Sequence, residues 1–143
     1  MTEPAVLAEA AGLRPTPQRI AVIEALRGKE RPVTAQALHR TVRRRAGGPG
    51  LATVYRTLHA LAAAGLVEAF PAGEEQAYRL CEPAHHHHLI CERCGRVSTI
   101  PSCEVKGWAE EVAARRGFAV TGHRADVFGV CRACRTERRG VAR

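Results

Sequence analysis

The stretch His85-His86-His87-His88-Leu89-Ile90-Cys91-Glu92-Arg93-Cys94 places five potential metal ligands within its first seven residues. A second Cys-x2-Cys knuckle follows at Cys131-Arg132-Ala133-Cys134. Two such knuckles supply four thiolates, which zinc binds in a closed tetrahedral site that leaves no position for a substrate. The spacing therefore predicts a structural zinc site that ties the end of the chain back to the start of a second domain.

The four consecutive histidines lie on a segment that we expect to be extended. Because side chains alternate between the two faces of a strand, His85 and His87 share one face. His86 and His88 share the other face, so one strand can supply ligands to two separate metal sites. A surface histidine run or a cloning tag is the alternative, but the run is internal and lies beside two cysteines.

Composition narrows the class of protein. The chain has 143 residues, 45% of them hydrophobic, and carries 22 Lys and Arg against 14 Asp and Glu, a net charge of +8. These values describe a basic, soluble, folded protein. Transmembrane proteins are excluded, because no apolar stretch approaches the roughly 20 residues of a spanning helix, and residues 1–12 lack the features of a signal peptide. A cytoplasmic location is expected, where six cysteines indicate metal ligands or unpaired core thiols in place of disulfides.

The first half of the chain has the pattern of a winged helix-turn-helix. Thr16, followed by Pro17, predicts an N-cap. Apolar residues at helical spacing predict helices over residues 5–11, 17–27, 34–45 and 52–64, of which the first is weak. Two strands, residues 66–70 and 76–80, follow and are joined by the turn-like residues 71–75. Residues 1–82 are therefore predicted to form a DNA-binding domain.

The composition changes abruptly after residue 82, where we place the domain boundary. Strand signals at residues 89–90, 97–100 and 118–130 surround one amphipathic helix over residues 105–116. Residues 83–143 are thus predicted to form a small α+β domain with metal sites, and the basic tail over residues 136–143 is expected to fray. The fold class of the whole chain is α+β.

Arginine supplies almost all of the positive charge, since only Lys29 and Lys106 are lysines. The arginines concentrate in the first domain, and such a field attracts phosphate and predicts salt-dependent binding to nucleic acid. Arg14 and Arg19 are predicted DNA contacts. The run Arg43 to Arg45 is expected to be a solvated or phosphate-steering face rather than a reader of bases.

The helix over residues 52–64 is the candidate recognition helix, which would enter the major groove of DNA. Thr53 is expected to cap the helix or to touch phosphate, and Arg56 can pair with guanine. Tyr55 is expected to contact a thymine methyl or a phosphate. A scaffold role in contact with phosphate is the alternative for this tyrosine.

Motifs along almost the whole chain point to one family. They are Thr16-x-Gln18-Arg19, Ala52-Thr53-Val54-Tyr55-Arg56-Thr57-Leu58, His85 to His88, Cys91-x2-Cys94-Gly95, His123 and Cys131-x2-Cys134. Together they resemble the Fur family of metal-sensing repressors, and within it they look most like zinc uptake regulators of the actinobacterial type. The resemblance implies a winged helix domain followed by a dimerisation domain. It further implies a zinc-loaded homodimer that binds a palindromic operator and represses zinc uptake genes.

The resemblance also implies a regulatory zinc site at the hinge between the domains, built from an acidic residue, a cysteine and two histidines. Those positions match Glu68, Cys81, His86 and His88. The family usually has Asp where Glu68 stands, so the carboxylate here is one methylene longer. Cys81 argues for zinc, because a thiolate with imidazoles favours zinc, whereas relatives that sense iron, manganese or peroxide use histidine and carboxylate ligands.

A third site in the dimerisation domain of the family normally takes two histidines, a glutamate on the following helix and one more histidine. His85, His87 and His123 match, but Lys106 stands where the glutamate belongs. Cys103 is the preferred substitute, because three imidazoles and a thiolate suit zinc. Glu104 is the second choice, and an empty site is the remaining alternative. The chain is therefore expected to bind two to three zinc ions.

Three other functions compete with a zinc-responsive repressor. A zinc enzyme needs an open zinc position and a general base, and H-E-x-x-H and the deaminase signature are both absent from the sequence. A family member could instead sense iron, nickel or peroxide. The last alternative is a zinc-stabilised nucleic-acid binder without a sensing role, in which added zinc would change stability but not operator affinity.

Overall fold

The computed structural model describes residues 2–44, 47–81 and 84–137. The chain divides into two compact units, Met1–Pro83 and Ala84–Arg143. The predicted domain boundary falls on Glu82 and Pro83, which lie outside the described residues. Within the described ranges, no helix combines the length and the apolar character that crossing a bilayer requires.

The first unit is a winged helix-turn-helix. Its helices are α1 (Pro4–Ala10), α2 (Pro17–Leu26), α3 (Ala35–Arg43) and α4 (Leu51–Ala63), and its strands are β1 (Val33–Thr34), β2 (Val67–Ala72) and β3 (Glu75–Leu80). The strands form an antiparallel sheet in the order β1-β3-β2. The hairpin of β2 and β3 is the wing. The short strand β1 was not predicted, because two residues are too few to show an alternating pattern.

Local capping explains where the helices of this unit begin. The Thr16 hydroxyl accepts the backbone N–H of Arg19 at 3.4 Å, and Thr34 accepts that of Ala37 at 3.2 Å. Of the two alternatives for Thr53, the cap of α4 is wrong, because the N-cap is Gly50 and Thr53 lies inside the first turn; the phosphate contact stays a prediction. The Thr53 carbonyl instead accepts the Thr57 hydroxyl at 2.8 Å.

Helix α4 packs one face into the core and leaves the other towards solvent. Val54, Leu58 and Leu61 have no exposed surface. Arg56 and His59 are exposed on the opposite face, as the apolar spacing predicted. The core thus orients α4 so that its polar face is available to a ligand.

The second unit is a small α+β domain. Its elements are β4 (His87–Cys91), β5 (Val97–Ile100), α5 (Val105–Arg115), β6 (Asp126–Gly129) and α6 (Arg132–Glu137). The sheet order is β5-β4-β6, with β4 antiparallel to β5 and parallel to β6. The predicted strand over residues 118–130 is wrong in length, since only Asp126–Gly129 is a strand. The apolar residues before it pair with no strand among the described residues, and apolar content alone could not show this.

The end of the chain also differs from the prediction. Helix α6 begins at Arg132, directly after Cys131, and includes Thr136, where fraying was expected. The Thr136 hydroxyl donates to the carbonyls of Arg132 at 3.2 Å and Ala133 at 2.8 Å. The remainder of the predicted tail, residues 138–143, lies outside the described residues.

Candidate metal centres

The four cysteines of the two knuckles lie together in the second unit. Their sulfur atoms are all within 4.8 Å of one another. Cys94 Sγ and Cys131 Sγ are 3.8 Å apart, and the backbone N–H of Cys131 donates to Cys91 Sγ at 3.3 Å. Cys91 and Cys134 are buried. We refer to Cys91, Cys94, Cys131 and Cys134 as the four-cysteine site.

Tight turns present these thiols. Gly95 has a φ of 70°, which an L side chain rarely adopts, and its N–H closes the first knuckle by donating to the Cys91 carbonyl at 2.9 Å. The second knuckle lies at the start of α6, which begins at Arg132. The Arg93 guanidinium reaches across and donates to the Cys134 carbonyl at 2.8 Å, which joins the two knuckles.

The electrostatics of the four-cysteine site fit a cation. Backbone N–H groups, first that of Cys131 and then that of Cys94, lower the pKa of Cys91 to about 6. In contrast, the hydrogen bond with the Cys131 side chain, followed by burial, raises the pKa of Cys134 to about 12. Crowded thiols oppose one another's ionisation unless a positive charge lies among them. Four sulfur ligands at this spacing suit a tetrahedral zinc ion.

A second cluster in the same unit contains His85, His87, Cys103 and His123. Their ligand atoms are all within 4.8 Å of one another. His87 Nε2 lies 3.2 Å from both His85 Nε2 and Cys103 Sγ, and His123 Nε2 lies 3.0 Å from Cys103 Sγ. Desolvation and the neighbouring His123 hold the pKa of His85 below its ordinary value. We call this cluster the third site.

The structure brings Cys103, and not Glu104, to these three histidines. Helix α5 begins at Val105 with Glu104 as its exposed N-cap, so Cys103 lies before the helix and not beneath Lys106 on it. His87 Nδ1 is buried and has no hydrogen-bond partner among the described residues. Its Nε2 converges with the thiol and the other rings, which fits a soft divalent ion.

Two residues of the predicted regulatory site belong to the first unit. Helix α4 ends in a turn at Gly65, whose φ is 71°, and the N–H of Leu66 returns to the Leu61 carbonyl at 2.9 Å. Cys81 follows β3 and packs on this turn: its N–H donates to the Leu66 carbonyl at 3.0 Å and its Sγ lies 3.6 Å from the Gly65 carbonyl. Burial and then the Glu68 carboxylate raise the pKa of Cys81 to about 11.

The other two residues of that site belong to the second unit. The rings of His86 and His88 have centroids 4.8 Å apart and are nearly perpendicular. His86 Nδ1 lies 2.6 Å from the Ala84 carbonyl oxygen, and His88 Nδ1 lies 3.1 Å from Asp126 Oδ1. Each unit thus holds one half of the predicted ligand set, and the assembly of both halves into one site stays a prediction.

The odd- and even-numbered histidines separate as the strand alternation predicted. His85 and His87 lie with Cys103 and His123, whereas His86 and His88 pair with each other. Sequence reasoning missed Asp126, because its place opposite His88 depends on a parallel strand pairing that no local pattern reveals.

The predicted DNA contacts lie on the first unit. Arg56 is exposed on α4, and Tyr55 is half-buried with its ring centroid 6.0 Å from that of His59. The Arg19 guanidinium donates to the Arg14 carbonyl at 3.0 Å, so it holds the turn before α2. Arg14 itself is exposed.

Comparison with known proteins places this chain in a class of metal uptake regulators. The model of the ferric uptake regulator family matches residues 10–128, so the chain belongs to that family. The chain is 43% identical over 128 residues to the zinc uptake regulation protein of Mycobacterium tuberculosis, covering 89% of this chain and 98% of that protein. It is 33% identical over 126 residues to the ferric uptake regulation protein of Legionella pneumophila, covering 87% and 93%.

A solved structure gives the same result. A zinc uptake regulator complexed with zinc and DNA has a TM-score of 0.71 at 28% identity, covering 97% of this chain and 99% of that chain. The predicted family and α+β fold are therefore confirmed. Because the family consists of regulators, the chain is not a zinc enzyme.

Loss of one thiol tests the four-cysteine site. We expect Cys131→Ser to lose one tightly held zinc ion and to unfold the second unit, because structural zinc supplies about 10–16 kcal/mol of apparent binding free energy in small domains. Zinc content by elemental analysis and the fluorescence of Trp108, the one tryptophan of the chain, report the two effects. Cys103→Ser is the matched control and should keep this zinc. A Cys131→Ser protein with full zinc content and native fluorescence would contradict the assignment.

Proposed function

We propose that the chain is a zinc-responsive transcriptional repressor that binds a palindromic operator as a zinc-loaded homodimer and represses zinc uptake genes. The observation that carries the proposal is the Cys81 thiol, held beside Glu68 at the end of the wing. The 43% identical relative named for zinc uptake regulation, and the similar structure complexed with zinc and DNA, support it. We place the protein in the cytoplasm, where its operator would be.

The ligand set separates zinc from the other metals that this family senses. Cys81 contributes a soft sulfur, and His86 and His88 contribute borderline nitrogens, a combination that suits zinc better than ferrous iron or manganese. Glu68 is the single hard ligand proposed for the regulatory site. The relative named for ferric uptake is less similar, at 33% identity, than the one named for zinc uptake.

The proposed regulation depends on where the four ligands lie in the chain. Glu68 and Cys81 belong to the winged helix unit, and His86 and His88 belong to the second unit. A bound zinc ion supplies a shared bonding centre that limits how freely one unit moves relative to the other. In a dimer, that restriction would fix the spacing between two recognition helices, as a palindromic operator requires.

The second unit is suited to pairing with another copy of the chain. Trp108, Phe118 and Phe128 are 65%, 73% and 61% exposed, a large apolar area for a small domain. No residue of helix α5 is buried within the described part of the unit. A second copy covering these side chains would supply the hydrophobic burial that the isolated unit lacks.

We further propose that the third site binds zinc through His85, His87, His123 and Cys103. The convergence of three Nε2 atoms and one sulfur supports this ligand set. With the four-cysteine and regulatory sites, the subunit would then hold three zinc ions. The stoichiometry falls to two if the third site stays empty.

The first test is a zinc titration of operator binding at fixed salt, with the structural zinc retained and with iron, nickel and manganese in parallel. Tight binding that appears only with zinc is the expected result. Cys81→Ser should weaken zinc-dependent binding by at least about 100-fold, because it removes a direct ligand from a site where even outer-shell partners are worth 10–100-fold. Cys103→Ser, the matched control, should retain the response. Normal zinc-dependent binding by Cys81→Ser would refute the regulatory site.

Cobalt substitution tests the third site. Thiolate ligands give cobalt(II) an intense near-ultraviolet charge-transfer absorption, so Cys103→Ser should remove the absorption that one thiolate contributes. It should also weaken metal binding at this site by about tenfold or more, since loss of an outer-shell partner alone is worth 10–100-fold. Glu104→Gln should leave both measurements unchanged, because Glu104 lies outside the cluster. The opposite pattern would make the glutamate the ligand.

Two arginines of the first unit should separate base reading from phosphate contact. Arg56→Ala is expected to cost about 1–3 kcal/mol and to relax preference at one base pair, because α4 would place it in the major groove. Arg43→Ala should weaken all sequences alike and lower the salt slope by about 1. Fluorescence anisotropy with operator and scrambled duplexes over a salt series measures both quantities. Equal losses on both duplexes for Arg56→Ala would exclude base readout.

A further inference from the structure

His88 and Asp126 lie opposite each other on neighbouring parallel strands. They are direct partners in the pairing of β4 with β6, and His88 Nδ1 is 3.1 Å from Asp126 Oδ1. His88 is 2% exposed, whereas the Asp126 side chain is 46% exposed. We infer that Asp126 is a positioning residue for the regulatory site, which holds the His88 ring so that its Nε2 is the metal-binding nitrogen. This inference rests on the proposed regulatory role of His88.

The hydrogen-bond chemistry fixes the tautomer of the ring. A carboxylate can only accept, so the Nδ1 of His88 carries the proton that lies between the two side chains. In the neutral ring the lone pair is then on Nε2. His86 is set in the same way, because its Nδ1 lies 2.6 Å from the Ala84 carbonyl oxygen, which also can only accept. Both imidazoles are therefore prepared to bind through the same nitrogen.

A carboxylate behind a histidine also strengthens the ligand. It fixes the ring orientation and raises the basicity of the opposite nitrogen, and such partners are typically worth 10–100-fold in metal affinity. The adjacent histidine of the strand provides an internal contrast. His87, which belongs to the third site, has no partner for its buried Nδ1 among the described residues. Asp126 should therefore act on the regulatory site and not on the third site.

The carboxylate is held in place by the backbone. Asp126 begins β6, and the same ladder pairs Cys91 with Gly129, whose carbonyl accepts the Glu92 N–H at 2.9 Å. The four-cysteine site closes the far end of both strands through Cys91 and Cys131. The position of Asp126 thus depends on the structural zinc and not on an ion in the regulatory site.

Asp126→Asn is the variant that tests this role. The amide keeps the size of the side chain but can donate as well as accept, so it no longer dictates the His88 tautomer. Glu111→Gln is the matched control, because it removes one negative charge from an exposed position on α5. Full-length proteins with the structural zinc in place are titrated with zinc against a chromophoric chelator, and operator binding is followed over buffered free zinc.

We expect Asp126→Asn to weaken zinc binding at the regulatory site by about 10–100-fold. The zinc concentration at half-maximal operator binding should rise by the same factor, while saturating zinc restores the full DNA affinity. The third site and the four-cysteine zinc should be unchanged, and Glu111→Gln should match the wild type. Equal weakening of the regulatory and third sites would show a general packing role and overturn the inference.

Nitrogen-15 NMR of the imidazoles adds a readout that does not depend on the Asp126→Asn variant. In the wild-type protein without regulatory zinc, His88, identified through His88→Gln, should carry its proton on Nδ1. A proton on Nε2 would overturn the inference. If the wild-type protein binds operator regardless of zinc, the proposed function fails and the NMR result still decides the tautomer. A zinc-dependent wild type with an identical Asp126→Asn refutes the positioning role alone.

Discussion

The four-cysteine site is the interaction on which the second unit depends. Within its described residues, the buried hydrophobic side chains are those of Cys91, Val97 and Cys134, so two of the three belong to the four-cysteine site. Such a core cannot offset the conformational entropy of ordering the chain. Zinc bound by the four cysteines would replace the missing hydrophobic core at the point where β4 and β6 end together. The positions of the other side chains on β4 and β6 would therefore depend on the four-cysteine site.

Strand β4 carries candidate ligands for three metal sites within a few residues. The alternation of an extended chain separates His87 from His88, and Cys91 follows at the end of the strand. β6 runs beside it and brings Asp126 to His88. Sites of different chemistry can therefore lie close together without sharing ligands, because each takes its members from a different face or end of one pair of strands.

Features encoded by neighbouring residues could be predicted from the sequence, whereas those that depend on distant pairing could not. The Thr16 cap, the two knuckles and the separation of the histidines follow from local chemistry. Cys103 was chosen over Glu104 by ligand preference, and the structure brings it to the three rings. The two-residue strand β1 and the Asp126 contact were missed, since each depends on partners remote in sequence. Helix α6 was missed because its six residues are too few to show an apolar period.

The turn at Gly65 joins the end of the recognition helix directly to Cys81. The C-terminal end of α4 is therefore the point about which the helix would pivot, and it lies against Cys81, a proposed zinc ligand. Arg56 lies seven residues before the end of the helix at Ala63, roughly 10 Å along its axis at 1.5 Å per residue. If α4 tilted by about 10° at this turn, Arg56 would move by about 2 Å, which is enough to break a hydrogen bond to a base. A small displacement at a sulfur atom would thus be magnified where DNA is read.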